Sequence, residues 1–495
     1  MLFYLLGCSL GIPEYSLCTD HDQCASSFGV NYTCGSEGYC EAFSRCPVTY
    51  PEDVFENWDD YKDGYVMGSL FNHESNQSNI LAASFAIKQV REIDSSKNFS
   101  IIHCDYGTQD DGLASEEAAV FVGKHLNKYA GVEAVIGPSS SAASKILFNS
   151  TEDEDLFIIS PSATAEELST IDNVVNSDAD PGRFWRTVSS DEVQSKVLYN
   201  IISSSTDPTI DKLLLIYESD AYGRGFYESL SAQFDSSQIG FISFDGSNLG
   251  QSKENWSNIA DSVEPSNFDV YDIDGIVFIS SDLETIKEFV GTVSELDVYQ
   301  NKYFFFADGA ADTEFLELES MFQRMGATVA GSRPLLIRDN NFSVFSSEFD
   351  FFVQGDPVKF SEYKEVSAES DVYVSYTYDA TWLTLYGYLW SSFNEVEISS
   401  AGLSRGIRRL VGGDLLEIGP STWGAVRNAF EIQQEVDIHG ISGALDYDLA
   451  TGELVGAFEV WRPNGDYSCF QVWSQCLGTT DNLNCIPVTD DTCLD

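Results

Sequence analysis

From Tyr65 onward the chain alternates two kinds of hydrophobic pattern. Runs that are apolar at consecutive positions, at 65–71, 99–104, 132–136 and 156–159, have the length and character of strands buried on both faces. Between them, around 80–93, 113–129 and 142–149, apolar residues recur every three or four positions, as on one face of a helix. Strand and helix taken in turn predict βαβ units and a parallel sheet covered on both sides. An extended piece at 184–188 leads out of this set, and the rhythm restarts with a helix at 192–203. The second set has strands at 213–217, 240–244 and 275–280, helices around 225–234 and 283–293, and a buried strand at 302–308 that ends in Asp308. Beyond it the pattern predicts an extended piece at 327–336, helices at 376–393, 402–411 and 421–432, and β-structure at 441–448, 455–462 and 467–473. Turns at Thr451-Gly452 and Asn464-Gly465 join the last three. The fold class is therefore α/β, with two doubly wound parallel-sheet lobes and a cleft between them.

Two segments depart from this rhythm, and both are marked by cysteine. Residues 18–46 carry Cys18, Cys24, Cys34, Cys40 and Cys46 with little apolar material. So poor a core folds only with cross-links. The tail, 474–495, carries Cys476, Cys485 and Cys493, just after Cys469. Clustered cysteines in Gly/Asp/Ser-rich context predict disulfides and an oxidising compartment. Zinc is the competing reading, but no CxxC pair occurs and the histidines do not fall at ligand spacing. Five cysteines cannot close among themselves, so one pairs outside; Cys104 is the candidate, with Cys46 its nearest partner in sequence, although connectivity is not fixed by spacing. Residues 47–61 read as a connector. At the N-terminus Leu5-Leu6-Gly7-Cys8 resembles the lipobox of bacterial lipoproteins, which would make Cys8 the lipidated residue. Setting it aside leaves ten of the eleven cysteines, an even number. The stretch before Cys8 lacks a basic region and is short for a signal, so a clipped secretory signal is the alternative; both predict export. The expected location is the periplasm or the cell surface, with a lipid anchor rather than a spanning helix.

Lys and Arg number 26 against 79 Asp and Glu, a net charge of −53, which disfavours nucleic acid and anionic membrane as direct partners. Aromatic residues reach 13%, so the acid coats a folded surface rather than marking a disordered chain.

The stretch 136–164 concentrates the candidate chemistry. One strand closes on Ile136-Gly137-Pro138 and the run Ser139, Ser140, Ser141 opens a helix; the next strand ends at Ile159, followed by Ser160-Pro161-Ser162-Ala163-Thr164. Two parallel strands thus bring two turns rich in hydroxyls and N–H groups to one sheet edge, where open α/β sheets bind small ligands. Singly, Ser139 and Ser162 read as helix caps; their recurrence after consecutive strands favours a ligand edge.

VIGPSSSAAS (135–144), ISPSATAEEL (159–168), FWRTVSSDEVQSK (184–196), YESDAYGRGF (217–226), FFFADGA (304–310), YDATWLTLYG (378–387) and ISGALDYDLATGEL (441–454) resemble, in order, the type I periplasmic binding proteins. The nearest kin in this resemblance are the branched-chain amino-acid-binding proteins of ABC importers, related in fold to the ectodomains of natriuretic-peptide and glutamate receptors. It implies three crossings between lobes, near 186–189, 307–308 and 441–442. Lobe one would then be 62–188 and 307–441, and lobe two 189–306 and 442–473. It further implies a ligand carboxylate held by Ser140 or Ser141 with Ser162, Ala163 and Thr164, a capping Tyr222, and Asp308 as the ammonium-binding acid. Phe71, His73, Glu74 and Asp282 would line the rim. For Tyr222 a plain surface turn, and for Asp308 a helix cap, are the competing readings.

The implied function is capture of an amino acid or related small carboxylate for ABC-type import, with a membrane permease as partner, no cofactor, and a monomeric state. A sensory or adhesive surface lipoprotein of the same fold is the alternative. Catalysis is not expected: there is no Gly-x-Ser-x-Gly elbow, Walker A loop or His-Glu-x-x-His. Asp272-Ile273-Asp274-Gly275 and the set Asn176, Asp178, Asp180 echo calcium loops, but neither completes the pattern.

Overall fold

The computed structural model describes residues 17–488 except 36, 173–176, 205–208, 356–357 and 359–365. Cys8, Cys493 and Asn176 lie outside the described residues.

The first lobe is built on a six-stranded sheet in the order Val48–Tyr50, Phe99–Asp105, Tyr65–Phe71, Ala134–Ile136, Phe157–Ser160, Phe184–Arg186. All neighbours are parallel except Val48–Tyr50, which runs antiparallel to Phe99–Asp105. Residues of Tyr65–Phe71 are buried without alternation because helices cover both faces. Gln77–Ile93, Asn340–Gln354 and Tyr373–Asn394 pack on one side, and Ser115–Ala130 with Ser141–Ser150 on the other. Tyr373–Asn394 is buried on every side from Val374 to Ser391, so it forms the axis of this lobe rather than its surface.

The second lobe holds an eight-stranded sheet: Ile239–Phe244, Leu213–Glu218, Gly275–Ile279, Tyr303–Phe306, Thr328–Pro334, Gly456–Pro463, Phe470–Gly478, Asn484–Pro487. The first five strands are parallel and the last three join antiparallel. One face packs on helices Asp191–Ser204 and Ala221–Ser231, the other on an aromatic core around Trp256, Phe278, Phe289 and Trp461.

The crossings correct two expected boundaries. Thr328–Pro334 pairs with Tyr303–Phe306, so the chain does not leave the second lobe at Ala307-Asp308. It crosses after Pro334, and Asn340–Gln354 then joins the first-lobe core. The last crossing falls not at Ile441-Ser442 but after the small hairpin of Tyr447–Asp448 and Glu453–Leu454, because Tyr447 and Leu454 are buried in the first lobe. The tail expected at 474–495 supplies sheet: residues up to Gly478 belong to one strand, and Asn484–Pro487 forms the edge, joined by Cys476–Cys485. The connector contributes too, as the strand Val48–Tyr50.

The cysteine-rich segment is a separate small module. Cys18–Cys34 and Cys24–Cys40 close it, and Cys46–Cys104 ties it to the first-lobe sheet. It rests on helix Ser115–Ala130, where Phe43 stacks on His125 at 3.8 Å and Asp22 accepts from Lys128 and Tyr129, each at 2.6 Å.

Candidate functional site

The carboxyl ends of Ala134–Ile136 and Phe157–Ser160 lie side by side, and their two turns are bolted together. Gly137 has φ 98°, and an added Cβ would strike the Leu70 carbonyl, so only glycine makes this turn. Ser160 Oγ donates to the Pro138 carbonyl at 2.6 Å, and Ser162 Oγ to the Ser139 carbonyl at 3.1 Å. Ser141 Oγ accepts from the Ala165 N–H at 3.1 Å, and Ser140 Oγ caps the helix Ser141–Ser150 through the Ala143 N–H. Ser139 Oγ shares a hydrogen with Tyr106 OH at 2.5 Å and donates to Asn76. Within the first turn, then, the serine hydroxyls bind the protein's own groups and shape the turn, and the helix Ser141–Ser150 begins there. Ala163 and Thr164 are buried, and the Thr164 carbonyl accepts the Asp191 N–H at 2.9 Å.

Asp308 stands opposite. It caps no helix, in contrast to Asp282, whose carboxylate accepts from the N–H and hydroxyl of Thr285 at 2.8 and 2.7 Å. Asp308 Oδ1 instead accepts from Tyr222 OH at 2.5 Å and Gln194 Nε2 at 3.4 Å, and Oδ2 from Tyr373 OH at 2.6 Å. Tyr222 belongs to the second lobe and Tyr373 to the first, so the acid is gripped from both. Burial, and then the Asp308 charge, push both phenols far up, which fixes them as neutral donors. Helix Ala221–Ser231 also lies against Glu166–Thr170 and Ser141–Ser150, bringing Tyr222 over the first-lobe turns.

Sequence reasoning missed Tyr373 and Gln194 as partners of Asp308, and it missed Asp191. Asp191 is fully buried, and among the described residues no donor meets either carboxylate oxygen in full hydrogen-bond geometry; the Thr164 side chain offers it a weaker one. Burial first, and then the Asp308 charge, hold its carboxyl well above the ordinary range; Thr164 and Arg186 work the other way. In the sequence it reads as the ordinary acid in a first helical turn. Only the fold shows that the first crossing carries it beside Asp308.

The rim residues divide. Phe71 is wholly buried in the first-lobe core, Glu74 is exposed, and the His73 N–H donates to Asp105 at 3.2 Å. Burial lowers the His73 pKa. The calcium-like sequences are used structurally: Asp272 pairs with Lys212 at 2.7 Å, Asp274 accepts the Asp211 and Lys212 N–H groups, and Asp178 pairs with Arg408 and Arg409. Among the described residues the metal-like cluster is Cys18, Cys24 and Cys40, whose sulfurs are spent in disulfides.

Two α/β lobes joined by three crossings are the type I periplasmic-binding fold. The profile of the receptor family ligand binding region matches residues 80–466, and the chain belongs to that family. A search of curated sequences finds no match. Among solved structures, the chain is similar to the branched-chain amino acid transporter substrate-binding protein LivJ from Streptococcus pneumoniae in complex with isoleucine: 13% identity, 86% of this chain and 100% of that one covered, TM-score 0.56. The leucine-binding protein LivK from Thermotoga maritima gives 12% identity, 84% and 99% coverage and a TM-score of 0.57. A solute-binding protein from R. palustris in complex with benzoate gives 11% identity, 86% and 98% coverage and a TM-score of 0.55. At these identities the likeness is one of fold. Among the described residues no helix is long and apolar enough to cross a membrane.

Proposed function

We propose that the protein is an extracytoplasmic solute-binding protein that captures an amino acid, or a close relative with both carboxylate and ammonium, between its lobes for ABC-type import. The observation that carries this reading is the pair Asp308 and Asp191: one acid gripped by tyrosines from both lobes, the other buried and, among the described residues, without a donor in full hydrogen-bond geometry. Burying an uncompensated carboxylate is costly, and a ligand ammonium offsets that cost only when it is bound. The ligand carboxylate falls to the helix N-terminus at Ser141 and to the turn Ser162, Ala163, Thr164. That isoleucine and benzoate, the ligands of two fold relatives, are both carboxylates supports this polarity. The partner is a membrane permease, the working form is a monomer, and a lipid on Cys8 would hold it at the membrane.

The test is a thermal-shift panel of amino acids and small carboxylates. A ligand at a hundred times its Kd stabilises by about 2.7 kcal/mol. Asp308→Ala should abolish the shift while the ligand-free melting point stays close to wild type, because removing one acid relieves the other. No shift across the panel refutes the amino-acid reading. A surface-adhesive or sensory lipoprotein is the second reading, favoured by the exposed Leu17, Phe28 and Tyr39 of the cysteine-rich module. Genes for a permease and ATPase beside this one support import; a kinase gene supports sensing.

A further inference from the structure

Each of the first four parallel strands of the second lobe delivers an acid at its carboxyl end: Asp245 after Ile239–Phe244, Glu218 closing Leu213–Glu218, Asp282 after Gly275–Ile279 and Asp308 after Tyr303–Phe306. Asp220 follows two residues beyond Glu218. These acids differ in how they are compensated. Asp220, Asp245 and Asp282 cap helices and accept backbone N–H groups, and Asp308 has its tyrosines. Glu218 has the Ser280 hydroxyl, at 2.8 Å, and its other oxygen abuts Gly246, where any Cβ would collide with it. Burial first, then Asp220, Asp282 and Asp245, push the Glu218 carboxyl up to about 7. Asp191, buried and among the described residues without a donor in full hydrogen-bond geometry, has its carboxyl pushed up by the charge of Asp308 and, more weakly, of Asp220.

No cation answers this wall of acids. Among the described residues none of Asp191, Glu218, Asp220 or Asp308 forms an ion pair. Arg186, whose charge acts on Asp191, is engaged with Glu453 at 2.6 Å, and Arg224, whose charge acts on Asp220, is exposed and donates to the Ser219 carbonyl. The carboxylates do not gather closely enough for a metal ion, since among the described residues the cluster that does is of cysteines. An α-ammonium answers Asp308 and Asp191 and leaves Glu218, farther along the strand ends, without a cation.

We propose that the ligand carries a second positive charge: a basic amino acid such as lysine, ornithine or arginine, with its α-ammonium at Asp308 and Asp191 and its side-chain cation directed along the second-lobe strand ends toward Glu218. This rests on the amino-acid reading above and narrows it. The test is calorimetric titration of the whole chain with lysine, norleucine and cadaverine, which differ by the side-chain cation and the carboxylate. Lysine should bind about tenfold or more tighter than norleucine at moderate salt, and the ratio should fall toward one in Glu218→Gln. The wild-type ratio stands as a test even if that variant folds poorly. Norleucine binding as tightly as lysine overturns the inference and leaves the amino-acid reading intact. Cadaverine binding as tightly as lysine keeps the cationic wall and refutes the carboxylate half of that reading. No binding of all three overturns both.

Discussion

Arg186 sits where the first crossing meets the turn 160–165, and replacing it with methionine tests whether this guanidinium holds that candidate ligand turn in place. The side chain is 1% exposed. Its NH1 donates to the carbonyls of Ala163 at 3.2 Å and Ala165 at 3.1 Å, its NH2 to Ser169 Oγ and Glu453 Oε2 at 2.6 Å each, and its Nε to the same Glu453 oxygen at 3.1 Å. One planar fork thus joins both sides of the ligand turn to the hairpin that precedes the last crossing. Arg186→Met fills similar volume but strands Glu453 and two buried carbonyls. Breaking a buried pair costs about 3–5 kcal/mol, which corresponds to a fall in melting temperature on the order of 10 °C for a lobe of this size. Arg186→Lys should recover only part, since an ammonium cannot reproduce the fork. Urea denaturation followed by tryptophan fluorescence gives the stability, and the ligand-induced thermal shift gives the binding. If Arg186→Met lies within about 1 kcal/mol of wild type and retains the full ligand shift, the claim that this guanidinium organises the turn is wrong.

Two further outcomes follow from the same structure. Burial raises Asp379 from 3.8 to about 6, although it accepts from the Ile441 and Ser442 N–H groups and the Ser442 hydroxyl. Its folded pKa lies above its unfolded one, so the stability from its proton is full below 3.8 and gone above about 6, a difference of about 3 kcal/mol. The stability of Asp379→Asn relative to wild type should therefore improve as pH rises through this window in urea titrations, and parallel curves would contradict the assignment. Cys46–Cys104 spans 58 residues and fastens the small module to the first lobe. Changing both to alanine should cost about 2–4 kcal/mol and expose the segment near Pro47 to proteases, read by limited proteolysis and mass analysis; unchanged digestion would show that the Phe43 and Asp22 contacts suffice.

What the sequence made legible was whatever depends on local pattern. Consecutive apolar residues at 65–71 or 303–306 are strands because a sheet covered on both faces leaves no polar side, and that is visible residue by residue. Helix Asn340–Gln354 was missed although Phe342, Phe345, Phe349 and Phe352 follow helical spacing; its Ser and aromatic composition is weak in propensity, and tertiary burial overrides that. The crossing expected at Ala307-Asp308 failed for a different reason. An extended segment reads alike whichever sheet it joins, and only pairing with Tyr303–Phe306 decides. The short strands Val48–Tyr50 and Asn484–Pro487 are edge strands with little pattern to find. For the candidate site, the residue pattern pointed to the two turns and the resemblance to Tyr222 and Asp308, the residues that the structure joins by a hydrogen bond being the last two. Neither reached Asp191 or Glu218, whose meaning lies in missing partners, and a missing partner has no local signature.

The ligand acid and the crossings meet on one element, the start of helix Tyr373–Asn394. Tyr373 OH holds Asp308 at 2.6 Å, and Tyr376 OH donates to the Leu335 carbonyl of the second crossing at 3.1 Å. The Tyr376 carbonyl accepts from Thr187 of the first crossing at 2.9 Å, and Asp379 gathers the Ile441-Ser442 backbone on the approach to the third. Because this helix is buried on every side, it cannot tilt without disturbing the first-lobe core. Any hinge motion between the lobes would therefore fall in the crossings themselves, with Tyr373 carried by the first lobe and Tyr222 by the second. Separating the lobes would break one of the two phenol–carboxylate bonds and leave Asp308 one phenol short beside Asp191. On the proposed function, a ligand ammonium bridging the acids would favour the closed form by supplying the missing charge, which is how differential binding to one of two states shifts their balance.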